Sequence, residues 1–272
     1  MNQNASWALV TGASGGLGEA FARRLAAEGW NLLLAARNKE RLAALAESIG
    51  SGAGVTVEIA AIDLSERGAG RRLHDECADR GLEIELLVNN AGSGLFGESV
   101  ELPPDRVEAM LGLNVMALTE LSSLFGKDMK ALRRGKILNV ASLAGRGSMP
   151  YFASYGATKS YVLNYSLALR AELAPYGVGV SCILPGYIRT SFDGNAGIKS
   201  AAYRAFSDRN AMEADAVAAR GLRLLARGRG YAIAGGINKL SALGMALLPP
   251  SRLPFLMKPF LDRLVADKKS AR

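Results

Sequence analysis

Apolar runs too short to be helices alternate, through the first two thirds of the chain, with stretches whose apolar residues recur at helical spacing. WALV (7–10), NLLLAA (31–36), VTVEIAAID (55–63), ELLVNNAG (85–92), KILNVAS (136–142) and VGVSCILPG (178–186) read as six strands. LGEAFARRLAAEG stops at Gly29, which suits the left-handed position after a helix, and KERLAALAESIG repeats the helical pattern. A long helical zone across 104–130 opens on Pro-Pro-Asp, a further helix covers 154–173, and AIAGGI (232–237) reads as a weak last strand. GSGAG at 50–54 reads as a loop.

Short strands separated by helices argue for βαβ units. Right-handed crossovers then give an α/β, Rossmann-type doubly wound parallel sheet of about seven strands, with helices on both faces in a three-layer α/β/α arrangement. No repeat, low-complexity tract or linker divides 1–272, so one domain is expected. Within it, the polar, Gly- and Ser-containing stretch 187–215 sits where an α/β enzyme places a mobile substrate lid. From 238 to 272 follows an apolar, basic, proline-broken extension.

Composition narrows the function. A chain of 272 residues can bury a core on both faces of a sheet. With 31 glycines and only 7% aromatics it favours tight turns and close helix–sheet packing over an aromatic binding platform. Cys77 and Cys182 are far apart and without metal-ligand spacing, and the one histidine, His74, lies in the polar run RRLHDEC, read as solvent-facing. Neither a metal site nor a disulfide framework is expected, and a reducing, cytoplasmic setting is. The N-terminus lacks a secretory pattern, and no stretch reads as the roughly 18–20 apolar residues of a membrane span. LSALGMALLPP (240–250) comes nearest.

The net charge of +8 suggests attraction to phosphates, anionic lipid or nucleic acid. The arginines are scattered, with clusters at 220–229 and in the C-terminal tail, and no basic run interleaves with aromatics. No nucleic-acid partner is therefore expected. A phosphate-rich cofactor plus a solvated basic surface is the reading.

VTGASGGLGEA supplies that cofactor's candidate site. Gly12, Gly16 and Gly18 allow a tight turn after strand one, close approach of backbone to a pyrophosphate, and a helix N-terminus facing the anion; Ser14 and Leu17 belong to the same loop. About twenty residues on, where a carboxylate would hold the ribose of NAD, the chain has Ala36, Arg37 and Asn38. Arg37 can bind a 2′-phosphate, which favours NADP(H) over NAD(H), or it is a surface arginine opening a helix.

Tyr155 and Lys159, four apart on a predicted helix, share a face. A cation beside a phenol lowers its pKa from about 10, which permits proton chemistry without histidine. Such a pair also arises by chance, so taken alone it leaves both readings open. Ser142 alone could equally cap a helix, and Asn114 could be a solvated polar residue. Tyr151, Tyr161 and Tyr165 have no lysine four residues on and read as packing or pocket residues. Glu98, Glu101 and Asp208 read as surface carboxylates.

TGxxxGxG at 11–18, NNAG at 89–92, YxxxK at 155–159 with Ser142 upstream, and Pro185-Gly186 with Thr190 beyond, together resemble the short-chain dehydrogenase/reductase superfamily of NADP-preferring type, across about 6–190. The resemblance implies that Tyr155 is the general acid or base, that Lys159 lowers its pKa and holds the nicotinamide ribose, and that Ser142 polarises a carbonyl. It implies that Asn114 holds a water relaying protons to the lysine. Asp63, with Leu64 beside it, would meet the adenine amine; Asn90, Ala91 and Gly92 would line the ribose; Pro185, Gly186, Ile188 and Thr190 would approach the nicotinamide.

The expected activity is hydride transfer between NADPH and a carbonyl or alcohol, as a ketone reductase acting on a lipophilic or acyl substrate. The alternative is a non-catalytic NADPH-binding regulator or a membrane-surface protein of the same fold. A homodimer or homotetramer is implied. The extension departs from simple family members and is expected to form a pocket wall, an oligomer contact or a peripheral membrane contact.

Overall fold

The computed structural model describes residues 6–189, 196–198 and 200–265. Thr190 therefore lies outside the described residues, as does part of the expected lid. Seven strands are present: β1 (Trp7–Thr11), β2 (Asn31–Ala36), β3 (Val57–Ala61), β4 (Ile84–Asn89), β5 (Gly135–Val140), β6 (Val178–Leu184) and β7 (Tyr231–Ile233). They form one sheet in the order β3-β2-β1-β4-β5-β6-β7, with every pair parallel.

Helices α1 (Gly16–Ala27), α2 (Lys39–Ala53) and α8 (Ala214–Ala226) cover one face. The other carries α3 (Ala69–Asp79), α5 (Leu118–Leu132) and α6 (Ala153–Leu173). Because both faces are covered, strands read as continuous apolar runs: Ala8 and Val10 enter one core and Leu9 the other, all fully buried. β1 and β4 are neighbours whose connections leave in opposite directions, so a crevice opens beyond their carboxyl ends.

The remaining helices are α4 (Pro104–Leu111), α7 (Ala201–Asn210), α9 (Gly236–Leu247) and α10 (Leu253–Val265). Several expectations change. The zone at 104–130 is continuous but holds a π-helical turn at Gly112–Ala117 between α4 and α5. A Cβ on Gly112 would lie 2.6 Å from the Ser65 carbonyl oxygen, so the glycine lets the chain after β3 approach that turn closely. Pro104–Leu132 contains an 18-residue window of mean hydropathy 1.3, long and apolar enough by composition to cross a membrane, as a buried core helix also can be. In the fold its apolar face, through Leu121, Phe125 and Met129, is buried against the sheet.

GSGAG is not a loop: α2 runs through Ala53 and ends at Gly54 in the left-handed conformation. Asn38 caps the start by accepting the Arg41 N–H, and each interior glycine costs only about 1 kcal/mol relative to alanine. The proline-broken extension beyond Gly235 is helical. Pro249 and Pro250 separate α9 from α10, whereas Pro259 lies inside α10 without ending it. His74 is not solvent-facing. Its side chain is 19% exposed, wedged between α3 and α5, with Nε2 2.7 Å from Asp128 and its ring edge-on to Phe125. Burial pushes the thiols of Cys77 and Cys182 up to about 12, and both are free.

Candidate active site

The glycine loop and the NNAG segment are one construction. The Thr11 hydroxyl donates to the Val88 carbonyl at 3.3 Å and accepts the backbone N–H groups of Asn90 and Ala91, each at 3.0 Å. The Asn90 amide donates to the carbonyls of Thr11 and Gly12 at 3.0 and 3.3 Å. Gly12 has φ +66°, and a Cβ there would sit 2.9 Å from the Ala91 Cα. A Cβ on Gly18 would lie 2.1 Å from the Gly12 carbonyl oxygen, so α1 leaves the loop at a distance only glycine allows. The N-terminus of α1 faces the crevice with Ser14, Gly16 and Leu17 on its rim.

At the end of β2, Arg37 is 78% exposed and Asn38 serves as the cap of α2. The tertiary structure brings to Arg37 a carboxylate that β2 itself lacks: Asp63 lies 3.8 Å away. Burial pushes the Asp63 carboxyl up, but hydrogen bonds from the Ser65 hydroxyl and N–H, with the Arg37 charge, outweigh it and hold the group below the ordinary range. Leu64 is buried in the core and also borders the crevice.

α6 carries the proton-transfer candidates. Tyr155 and Lys159 are buried, at 8% and 5% exposure, and the lysine Nζ lies 5.9 Å from the tyrosine ring centre. The ammonium donates to the Val140 carbonyl at 3.0 Å, and burial lowers its pKa to about 8. Ser142 stands just past β5 and accepts the Ala144 N–H at 3.2 Å, capping the single turn Leu143–Arg146. The structure shows the capping role, and the hydroxyl proton is left unused by that bond.

Asn114 is 1% exposed, which removes the solvated reading. Its amide donates to the Ser93 carbonyl at 2.8 Å and to the Thr158 hydroxyl at 3.0 Å, and its oxygen accepts the Ser93 N–H at 2.9 Å. Thr158 in turn donates to the Tyr155 carbonyl at 2.7 Å. Asn114 thus ties the NNAG turn to the tyrosine's own turn of α6, from the π-helical segment. A Cβ on Gly92 would lie 3.1 Å from the Lys159 Nζ and 3.2 Å from Asn114 Oδ1, so this position also needs a small residue.

Most of the expected site residues border one cleft of about 810 Å³, while Asn114 and Gly18 lie behind its lining. Gly12, Arg37, Asp63 and Asn90 lie at one end; Ser142, Tyr155, Lys159, Pro185, Gly186 and Ile188 follow. Residues 187–261 complete it without any charged side chain among those described: Tyr203 and Phe206 from α7, Met245 from α9, and Met257 and Phe260 from α10. Part of the extension is therefore a pocket wall. Tyr161 and Tyr165 stack on each other away from the cleft, while Tyr151 donates to Asp262 of α10.

Sequence reasoning missed several supports. Gly145 would place a Cβ 2.5 Å from the Lys159 carbonyl carbon, so the turn after Ser142 presses backbone to backbone on α6. Asn238, buried, donates to the Ala234 carbonyl at 2.7 Å and fills the space beside Gly186, where a Cβ would meet it at 2.5 Å. Asn89 donates to Ser122 and Asn139, and Asn139 donates to Ser166, pinning β4, β5, α5 and α6 beneath the site. Polar residues inside apolar strand runs were the one available signal.

The residues fit a dinucleotide: a glycine loop opens a helix toward the crevice, backbone approaches where a Cβ would collide, and Arg37 and Arg41 stand at the far end. The family described as short chain dehydrogenase matches residues 6–201. A very-long-chain 3-oxoacyl-CoA reductase of Phaeosphaeria nodorum is 33% identical over 190 residues, 68% of this chain and 56% of that protein. The chain thus spans little more than half the length of such relatives. A 7beta-hydroxysteroid dehydrogenase of Collinsella aerofaciens is 32% identical over 180 residues, 66% of this chain and 68% of that one. Among solved structures, a short-chain dehydrogenase from Sphingobium yanoikuyae in complex with NADPH superposes with a TM-score of 0.79 at 30% identity, covering 98% of both chains. On its strand order, its clefted site and these matches, the chain belongs to the short chain dehydrogenase family.

Proposed function

We propose that the protein is an NADPH-dependent reductase of lipophilic ketones, the acyl ketones of 3-oxoacyl thioesters being one such class. The observation that carries this is the single cleft that joins a dinucleotide-shaped end, through Tyr155, Lys159 and Ser142, to an uncharged wall of aromatic and methionine side chains. The nicotinamide cofactor supplies the hydride to the carbonyl carbon, and takes it back in the reverse direction.

The chain's own residues manage the oxygen. Tyr155 donates its phenolic proton as the carbonyl becomes an alcohol, and removes it in reverse. Lys159, largely protonated at neutral pH with a pKa of about 8, places a positive charge beneath the phenol and favours its ionised form. The Ser142 hydroxyl, fixed by the Ala144 N–H, donates toward charge growing on the substrate oxygen. Asn114 and Thr158 hold the turn of α6 that aims Tyr155, while Asn114 also keeps Ser93 and Gly92 clear of the ammonium.

NADP(H) preference is supported by the exposed Arg37, with Arg41 one turn on, at the position where an acidic residue would favour NAD(H). The lipophilic substrate is supported by Phe152, Tyr203, Phe206 and Phe260, and by relatives named for very-long-chain acyl and steroid chemistry. The test is consumption of NADPH and of NADH over a panel of simple ketones, steroids and 3-oxoacyl thioesters. Tyr155→Phe is expected to lose about 10²–10⁴-fold in turnover, and Arg37→Asp to move the preference toward NADH. Full activity in Tyr155→Phe, or no turnover with any ketone, overturns the reading; equal use of NADH by the wild type overturns the cofactor preference.

A further inference from the structure

A second cleft, of about 530 Å³, lies along the edge strand β7 and shares no lining residue with the first. Five of its nine lining residues are cationic and none is acidic. Arg220, Arg223 and Arg227 come from one side of α8 and its last turn, Arg229 from the tight turn into β7, and Lys239 from the first turn of α9. None of the five has an ion-pair partner among the described residues, whereas Arg23, Arg24, Arg72, Arg80, Arg134 and Arg189 all do.

The cluster is held in place. The N–H groups of Arg227, Gly228 and Arg229 close the end of α8 onto the carbonyls of Arg223, Leu225 and Leu224 at 3.1, 3.0 and 3.2 Å. The Arg229 carbonyl accepts the Ser181 hydroxyl at 2.7 Å, and the Gly230 carbonyl accepts the Cys182 N–H at 2.9 Å, fastening the turn to β6. Tyr231, 43% exposed, lies in the cleft with the Arg146 guanidinium 5.9 Å from its ring centre.

Ordinary helix electrostatics explain only part of this. Cations suit the last turn of α8, where Arg223 and Arg227 stand. Lys239 occupies the first turn of α9, where the helix dipole disfavours a cation and where Gly235 provides no side-chain cap. Cations spaced three and four apart on α8 also repel. An anion in the cleft relieves all three at once, and five like charges oppose pairing of this edge with a second copy of itself.

We propose that this cleft is a binding site for a multiply charged phosphate group, distinct from the dinucleotide end of the main cleft. Its volume lies within the usual range for small-molecule sites, roughly 300–1,000 Å³, and arginine forks match phosphate oxygens in pairs. The phosphate belongs either to a soluble polyphosphate compound or to a lipid headgroup. Beside Lys239, the α9 side chains Ile237, Leu240, Leu243 and Leu247 are 65%, 69%, 57% and 78% exposed, which makes the second source physically available.

Calorimetric titration with inorganic triphosphate tests the site, alongside sedimentation with phosphatidylcholine vesicles containing phosphatidic acid, a phosphomonoester, or with phosphatidylcholine alone. Binding by the wild type is expected to persist in Arg37→Ala and to weaken at least about tenfold in Arg223→Gln/Arg227→Gln, with a steep salt dependence and an unchanged circular dichroism spectrum. Triphosphate binding without vesicle association assigns a soluble compound. Association with the phosphatidic acid vesicles and not with phosphatidylcholine alone, lost in Arg223→Gln/Arg227→Gln and in Leu240→Ser/Leu247→Ser, assigns a lipid headgroup.

Absence of both kinds of binding overturns the proposal, as does binding that is not weakened by loss of Arg223 and Arg227 or that disappears in Arg37→Ala. Ketone reduction is read in none of these arms, so the site and the reductase reading fail separately.

Discussion

The helix bearing Tyr155 and the two helices beyond Gly235 border the same cleft, yet they are held by different means. α6 buries eight residues, including Tyr155, Thr158, Lys159 and Ser166, and is tied by hydrogen bonds to β5 and to the π-helical turn. α9 and α10 bury two residues each: Asn238 and Ala242, then Leu253 and Leu261. They are fastened at their margins, by Asn238 to Ala234, by Ser200 to the Leu264 carbonyl, and by Tyr151 to Asp262 and Lys258 of α10. Eight of the fourteen exposed large apolar side chains among the described residues lie in 237–260.

On the proposed reading α6 carries proton transfer, which tolerates little displacement and suits a helix locked into the core. A wall that receives an apolar substrate body needs only shape and dryness, and a loosely packed pair of helices provides both while able to shift.

The most damaging break is Gly145→Ala. A methyl 2.5 Å from the Lys159 carbonyl carbon forces the Ser142 turn away from α6. The expected loss is about 1–3 kcal/mol of stability by overpacking together with at least about a hundredfold in turnover, since displacement of reacting groups by about 1 Å costs that much. Thermal unfolding and steady-state kinetics check it, and unaltered turnover would show that the turn and helix are not one unit.

Lys159→Met separates chemistry from stability. The folded-state pKa is about 8 against 10.5 in the unfolded chain, so burial disfavours the ammonium and the fold binds fewer protons than the unfolded state. The resulting destabilisation, on the order of 3 kcal/mol, is fully present below about pH 8 and is relieved as pH rises from about 8 toward 10.5. The variant is expected to lose activity yet melt a few degrees higher at neutral pH. Its advantage over wild type is expected to shrink across that window in denaturant titrations at several pH values.

Asp262→Asn weakens the fastening of α10 without touching α6. KM for a lipophilic ketone is expected to rise several-fold while kcat changes less; an equal fall in kcat and kcat/KM, with KM unchanged, would place α10 among the parts that hold the reacting atoms. The smallest effect is expected at Gly50, in the solvent-facing last turns of α2, where a Cβ meets nothing within 4 Å. There Gly50→Ala should stabilise by about 0.5–1 kcal/mol, measurable as a small rise in the denaturation midpoint.

Much of the dinucleotide end was legible because its determinants are contiguous. Gly12, Gly16 and Gly18 lie within one loop, Asn90 to Gly92 within another, and Tyr155 and Lys159 one helical turn apart, so strand–loop–helix context is enough to interpret them. Gly145, Asn238 and Asp262 were not legible. Their partners are Lys159, Gly186 and Tyr151, and nothing local marks a residue whose task is to let a distant backbone approach or to hold a distant helix. Arg37 shows the boundary: its place at the end of β2 follows from the pattern, but Asp63 beside it comes from the far end of β3.

By itself the sequence determined the alternation of strands and helices, the parallel sheet, the glycine loop and the placing of Tyr155 and Lys159 on one helix face, because periodicity and turn chemistry act over a few residues. The tertiary structure alone decided the burial that brings Lys159 near pKa 8, the π-helical seat of Asn114, and the gathering of Arg220, Arg223, Arg227, Arg229 and Lys239 at one edge. It also decided the division of the C-terminal helices into a cleft wall and an exposed apolar ridge. Desolvation, close backbone approach and the summed field of several charges depend on which distant segments meet, and only the packed chain defines that.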